Sequence, residues 1–330
     1  MYRAMKTRFP AILIALSSLA ILFACEKEIT IDLPNPEIKI VVEGSIEQGK
    51  PPIVFLTRSQ GFFEPTDISA IEANFVRGAT VVVSNGLVSD TLIEVCSGEL
   101  PEDLLPLISE VTGFTIDQLQ SLNICGYTSF NSAIFGEPGK TYNLAIWAEG
   151  KILTSKTKIN HIVPLDSVWF QVSGNTDSLG FAYARLQDPD TLGNAYRWFA
   201  KRINSYPEWS DLAGEQKDNR FIAPIGSAYD DRFFNGLEFE FAYYRGAELN
   251  SGKEDDSNSE RGFFKVGDTI VVRGCVIDRG VYNFVSSMES QVSSNGSPFA
   301  SPANVLSNIE GGLGVWAGYG ASYDTIICRP

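Results

Sequence analysis

Two dipeptides set the terms for the fold. Asn85-Gly86 and Glu149-Gly150 each stand between two short runs rich in β-branched residues. A tight primed turn needs positive φ at both central residues, and Asn-Gly between such runs is a strong hairpin signal. The runs Ile38 to Glu43, Ile53 to Thr57, Thr80 to Ser84, Asp90 to Val95, Tyr142 to Ala148 and Lys151 to Lys158 have strand length and are punctuated by Gly, Pro and Asn. Their spacing predicts an antiparallel sandwich ending near residue 160.

One segment breaks the pattern. Pro101 to Leu122 carries Leu and Ile at helical spacing, interrupted at Gly113, and Thr115 with Gln118 has the spacing of a capping box for a second short helix. It reads as a helical hairpin inserted in a β domain, either a docking element or a loop whose leucines pack on their own sandwich. Beyond His161 to Asp166, which contains Pro164 and reads as a connection, the runs 167–173, 182–187, 196–204, 237–244, 269–277 and 325–328 predict strands. Val281 to Glu289 predicts one helix. The expected fold class is mainly β: an Ig-like antiparallel β-sandwich at 37–160 with a helical insertion at 97–124, then a second, mainly antiparallel β domain at 161–330 with one short helix. A mature length of 306 residues suits two domains.

The N-terminus reads as an export signal in three parts: basic Arg3, Lys6 and Arg8, an apolar stretch from Phe9 to Phe23, and small Ala24 before Cys25. The stretch is shorter than the roughly 20 residues that cross a bilayer as a helix. Leu22-Phe-Ala-Cys25 resembles the lipobox of bacterial lipoproteins, in which a thiol behind a small residue accepts a diacylglycerol. Residues 1–24 are thus expected to be a lipoprotein signal peptide, Cys25 the lipidation site, and 25–36, with Pro34 and Pro36, an extended tether. Acyl chains on one residue hold a protein to a membrane through about 0.8 kcal/mol per buried methylene. Lys27 followed by Glu28 partly resembles the signal that sends Bacteroidetes lipoproteins to the cell exterior.

Without residues 1–24 the chain has 23 Lys and Arg against 40 Asp and Glu, a formal balance of −17. Such a surface repels phosphate backbones, so nucleic acid is not an expected partner. Four cysteines follow Cys25, and an exported chain meets an oxidising compartment. Of the three pairings, Cys96 with Cys125 and Cys275 with Cys328 are favoured because each pair flanks one local unit; the alternative is four free, buried thiols. No Cys-x-x-Cys spacing exists and the one histidine is His161, which argues against a metal cluster.

Catalytic signatures are missing from the sequence. There is no Gly-x-Ser-x-Gly elbow, phosphate loop or dinucleotide fingerprint, and His161 sits in a connecting loop with no nucleophile motif nearby. Asp188, Asp190 and Asn194 in one turn, and Asp255, Asp256, Asn258 and Glu260 in another, have the oxygens calcium uses. Neither follows EF-hand spacing, and Asp and Asn are common turn formers, so no metal or cofactor is expected. Trp198, Tyr206, Trp209, Phe233 and Phe234 are a weak aromatic signal for binding, since aromatics also fill sandwich cores.

The run Gly296-Ser-Pro-Phe-Ala-Ser-Pro-Ala-Asn-Val305, then Ser307-Asn-Ile-Glu-Gly-Gly-Leu-Gly-Val-Trp316, resembles the closing signature of the Bacteroidetes lipoprotein family of domain of unknown function 4249. Val41-Val-Glu-Gly44, Pro138-Gly-Lys-Thr-Tyr142, Asp166-Ser-Val168 and Phe234-Asn-Gly236 agree with it. The resemblance implies an outer-membrane location and a TonB-dependent transporter as partner, with no assigned activity. Together these readings give the expectation of a non-enzymatic outer-membrane lipoprotein, surface-facing or on the periplasmic face, that assists a transporter in capturing an unidentified ligand. A structural or adhesive envelope protein is the alternative, and a glycan hydrolase working through two carboxylates the distant one.

Overall fold

The computed structural model describes residues 37–60, 68–112, 114–174, 176–206, 214–218, 220–246, 262–294 and 304–330. The signal, the lipobox and the tether lie outside these residues. Ile38–Pro330 forms one compact unit, with two main hydrophobic cores that share a sheet and two smaller clusters.

The first lobe contains β1 (Ile40–Glu47), β2 (Ile53–Arg58), α1 (Ile68–Ala73), β3 (Thr80–Ser84), β4 (Ser89–Thr91), β5 (Ile93–Cys96), α2 (Leu105–Thr112), α3 (Ile116–Ser121), β6 (Cys125–Thr128), β7 (Thr141–Ala148) and β8 (Lys151–Lys158). Two antiparallel layers form, in the orders β1-β2-β6-β5 and β8-β7-β3-β4. Along β7 the side chains alternate, so that Tyr142, Leu144, Ile146 and Ala148 are buried. They meet Val42, Val54, Leu56, Val81 and Val83 from the other strands in one apolar core.

Both turn dipeptides close hairpins, as expected, but by different turns. Glu149 and Gly150 do make a two-residue primed turn, with φ of 50° and 72° and Ala148 paired to Lys151. Asn85-Gly86 does not. Ser84 pairs with Ser89 across a four-residue loop, and the Asn85 side chain accepts from the N–H groups of Leu87 and Val88 at 3.1 and 2.9 Å. An asparagine that caps its own loop has no need of a left-handed backbone. Glu149 tolerates that backbone because its carboxylate is held by Arg58, whose Nε lies 2.8 Å away.

The second lobe contains β9 (Ser167–Val172), β10 (Leu179–Gln187), β11 (Ala195–Tyr206), β12 (Gly214–Lys217), β13 (Ala228–Asp230), β14 (Glu238–Tyr243), β15 (Phe264–Lys265), β16 (Thr269–Ile277) and α4 (Arg279–Ser294), followed by β17 (Ile309–Glu310) and β18 (Leu313–Ile327). β10 is central in a four-stranded sheet with β9, β14 and β15. β10 contributes Ala182, Ala184 and Leu186, and β14 the rings of Phe239, Phe241 and Tyr243, to a core shared with β11 and β16, and α4 covers the opposite face of β11, β16 and β18 with Val281 and Val285.

The C-terminal strand joins the lobes. Only 325–328 was expected to be strand, yet β18 runs for 15 residues. Its first half pairs in parallel with β1, Leu313 to Tyr319 against Val41 to Glu47, and its second half pairs antiparallel with β16. One sheet therefore runs β12-β11-β16-β18-β1-β2-β6-β5 across the molecule. The change of core does fall near residue 160, but Ile309 and Trp316 belong to the first core, so 161–330 is not a self-contained domain. The run from Ser307 to Trp316 makes this crossover. Asn308 Oδ1 accepts from the Trp316 N–H and Asn308 Nδ2 donates to the Trp316 carbonyl, at 2.9 and 2.8 Å. Gly314, at φ +100°, lies so close to β1 that a Cβ would stand 1.9 Å from the Val42 carbonyl oxygen. Glycine-rich sequence that reads as loop is here a strand pressed against backbone.

Candidate functional site

The helical insertion between β5 and β6 carries its own small core. Leu105, Leu119 and Ile124 are buried together with Phe55 of β2, Phe75 and Phe114 packed against them. Leu105 and Leu119 thus pack toward Phe55 of the sandwich, while Leu104 is exposed. The capping box forms as its spacing predicted: Thr115 Oγ1 accepts from the Gln118 N–H and Gln118 Oε1 from the Thr115 N–H.

Cys96 and Cys125, directly opposite each other on β5 and β6, form a disulfide that closes this insertion. The pairing expected for Cys275 and Cys328 does not form, and both are buried free thiols. Cys275 is in register with Ala321, while Cys328 is beside Asp268 at the far end of the same ladder. That places them about 20 Å apart along the strands, where a bond needs Cα atoms within about 7 Å. Burial pushes Cys275 up to about 11 against the pull of Arg273, and burial beside Asp268 pushes Cys328 up to about 12. Both stay protonated thiols and poor nucleophiles. Among the described residues the one group of three metal-type ligands within 4.8 Å is Glu94, Cys96 and Cys125, and its two sulfurs are bonded to each other.

Where the lobes meet, β1, β11, β16 and β18 bring together a stack of cations and rings. The guanidinium of Arg273 lies 4.7 Å from the Phe199 ring centre and 4.8 Å from that of Tyr319. Its Nη2 is ion-paired with buried Glu47 at the end of β1. Glu47 also accepts from the Tyr323 hydroxyl and lies 2.9 Å from Lys50 Nζ. Burial would raise the Glu47 carboxyl, but Arg273, Tyr323 and Lys50 outweigh it and hold the group below its ordinary value. Arg197 stacks on Phe199 at 4.7 Å and donates to the Tyr319 hydroxyl at 3.2 Å. Local patterning could not show this cluster, since Glu47 and Arg273 are 226 residues apart in sequence. The signal that could have found it is the alternation of Arg197, Phe199 and Lys201 on one face of a strand.

A second polar cluster ties the loop 188–194 to the turn 231–236. Asp188 accepts from the Tyr196 hydroxyl, from Asn194 Nδ2 at 3.4 Å and from the Gly236 N–H at 3.0 Å. Asp231 Oδ2 accepts from the Gly193 and Asn194 N–H groups at 2.7 and 2.8 Å. Asp188 and Asn194 therefore meet, as their spacing suggested, while Asp190 is exposed. The partner that sequence did not offer is Asp231. The loop holding Asp255, Asp256, Asn258 and Glu260 lies outside the described residues.

The aromatic candidates separate. Trp198 is core, edge-on to Phe241 at 5.7 Å, and Phe234 is stacked on Phe239 at 4.3 Å. Phe233 is 91% exposed. The side chains of Tyr206 and Trp209 lie outside the described residues, and His161 is exposed. No helix among the described residues is long and apolar enough to cross a membrane.

The family model described as Domain of unknown function (DUF4249) matches residues 26–324. The chain belongs to that family. The match covers both lobes and all but the last three residues of β18, and it begins at the residue after Cys25. No curated protein matches the chain.

Proposed function

We propose that this member of the family is a lipid-anchored, non-enzymatic binding body of the outer membrane, facing the cell surface, that works with a TonB-dependent transporter in capturing a ligand. The observation that carries the reading is Leu22-Phe-Ala-Cys25, followed within 15 residues by a β body that begins with Ile40. An acyl anchor there would leave only a short tether, keeping both lobes close to the membrane. The strand orders β1-β2-β6-β5 and β8-β7-β3-β4 support reading the first lobe as an Ig-like sandwich, since that fold divides its strands between two sheets in this way. Sandwiches of that type commonly present contact loops on a rigid frame.

Metabolic labelling with a tritiated fatty acid, followed by affinity purification of the tagged protein from detergent-solubilised membranes, tests the proposal. Label lost in Cys25→Ser and a transporter recovered with the wild type are the expected results. Label that persists in Cys25→Ser overturns the anchor. Recovery without any transporter under several growth conditions overturns the partnership, and a deletion strain that loses attachment but keeps nutrient uptake would move the reading to an adhesive envelope protein.

A further inference from the structure

The cluster between the loop 188–194 and the turn 231–236 holds more negative charge than its surroundings balance. Asp230, the neighbour of Asp231, is matched by Arg232 and Arg279 at 2.9 and 2.8 Å. Among the described residues Asp188 and Asp231 have no cation partner, and every group there that donates to them is neutral. Both are deeply buried, Asp188 at 2% exposure and Asp231 at 0%. Buried charges are as a rule paired or bound to metal, because leaving water is otherwise too costly.

A separate observation points to what is lacking. Asp231 Oδ1 is buried and has no hydrogen-bond partner, and Asn235 Oδ1 is in the same condition. Asp231 Oδ2 is fixed by the amides of residues 193 and 194, so the unpaired Oδ1 belongs to a carboxylate already anchored on that loop. Asn194 is the hinge of the arrangement, since its side chain reaches Asp188 while its N–H reaches Asp231. Asn235 directly precedes the residue whose N–H binds Asp188. Hydrogen bonds thus link Gly236, Asp188, Asn194 and Asp231 in a chain; one unsatisfied oxygen is on Asp231 itself and the other is on the residue before Gly236.

We infer that this cluster is a site for a hard divalent cation of the calcium class. The ligand set is oxygen alone, with two carboxylates and an amide carbonyl, and a flexible coordination sphere completed by main-chain oxygen and water is what calcium accepts. Zinc is disfavoured for the same reason, as no sulfur or imidazole takes part. The ion would satisfy the orphaned oxygens, balance the two carboxylates and lock the two loops together.

Terbium luminescence and thermal unfolding of the full chain, purified in detergent and stripped with EDTA, test this. Tyr196, hydrogen-bonded to Asp188, is placed to sensitise bound terbium. Calcium at millimolar concentration is expected to raise the unfolding temperature of the wild type and to displace terbium. Asp231→Asn should weaken both responses by about tenfold or more, while unfolding in EDTA no earlier than the wild type, because an amide there removes the unpaired charge. Asn235→Ala, at a half-buried position, is a second variant expected to weaken cation affinity with little change in EDTA. The double variant Asp255→Asn, Asp256→Asn should keep the full response. A wild type indifferent to calcium, a response that survives both Asp231→Asn and Asn235→Ala, or one lost only in the 255/256 variant would each overturn the inference.

Discussion

The first core is mostly aliphatic, with Val42, Val54, Leu56, Val81, Leu144 and Leu153 around Trp316, Tyr127 and Tyr142. The second is a chain of rings, Tyr196, Trp198, Tyr229, Phe234, Phe239, Phe241 and Tyr243, with neighbouring centres 4.3 to 6.4 Å apart. Buried charge follows the rings. Asp188, Asp218, Asp230, Asp231, Asp268, Lys201 and Arg245 are all in the second lobe, whereas the first lobe buries hydroxyls and, at the junction, Glu47. The difference teaches that the lobes do different work. Close-packed aliphatics hold the first lobe as a frame, while the second lobe keeps its buried carboxylates and cations beside packed aromatic rings.

The two core tryptophans offer the strongest way to break this contrast. Trp316→Ala and Trp198→Ala should each cost about 3 to 5 kcal/mol as large-to-small substitutions. Phenylalanine separates them. Trp316 Nε1 donates to the Tyr142 carbonyl at 3.0 Å, whereas Trp198 Nε1 is buried without a partner. Trp316→Phe strands that carbonyl and should be the more destabilising by about 1 to 3 kcal/mol in urea titrations. Equal losses would mean that hydrogen bonding does not distinguish the two cores.

Glu47→Ala comes next, since it leaves the Arg273 guanidinium buried without its carboxylate, at a cost of about 3 to 5 kcal/mol. The same group sets a pH dependence. The folded Glu47 titrates below its ordinary value of 4.5, so its contribution is complete above that pH and disappears as pH falls through the lower, folded value. Stability measured from pH 6 to 3 should therefore drop less in Glu47→Gln than in the wild type.

Smaller and more local effects belong to the insertion. Reducing Cys96–Cys125 should cost about 3 to 4 kcal/mol on the chain-entropy model, with protease cleavage confined to 97–124, while Cys275 and Cys328 stay unmodified by thiol reagents until the protein unfolds. Thr115→Ala should cost about 1 kcal/mol through the lost cap, detectable as faster amide exchange in α3 alone.

What the sequence revealed divides along the line between local and distant. Strands β3 and β8, the capping box and the Cys96–Cys125 bracket are governed by neighbours within a few tens of residues, and their patterns could be read directly. β18 could not, because glycines at 314, 318 and 320 carry no strand signal and are explained only by the backbones of Val42, Lys158 and Asn160 pressing on them. The same holds for Cys275 and Cys328, which flank one unit in sequence but occupy opposite ends of a ladder. At the candidate sites, Asp188 and Asn194 were visible as a turn, whereas Asp231 and the Glu47–Arg273 pair depend on strand register that no single-sequence pattern encodes.

Both lobes hang on β18, so the central claim is that two unlike cores unfold as one body. Native-state hydrogen exchange across a urea series measures this directly by comparing the amides of β7 in the first core with those of β11 in the second. A common opening free energy for the slowest amides of both strands is the predicted result. Two separate plateaus, with β7 still protected after β11 has opened, would contradict it.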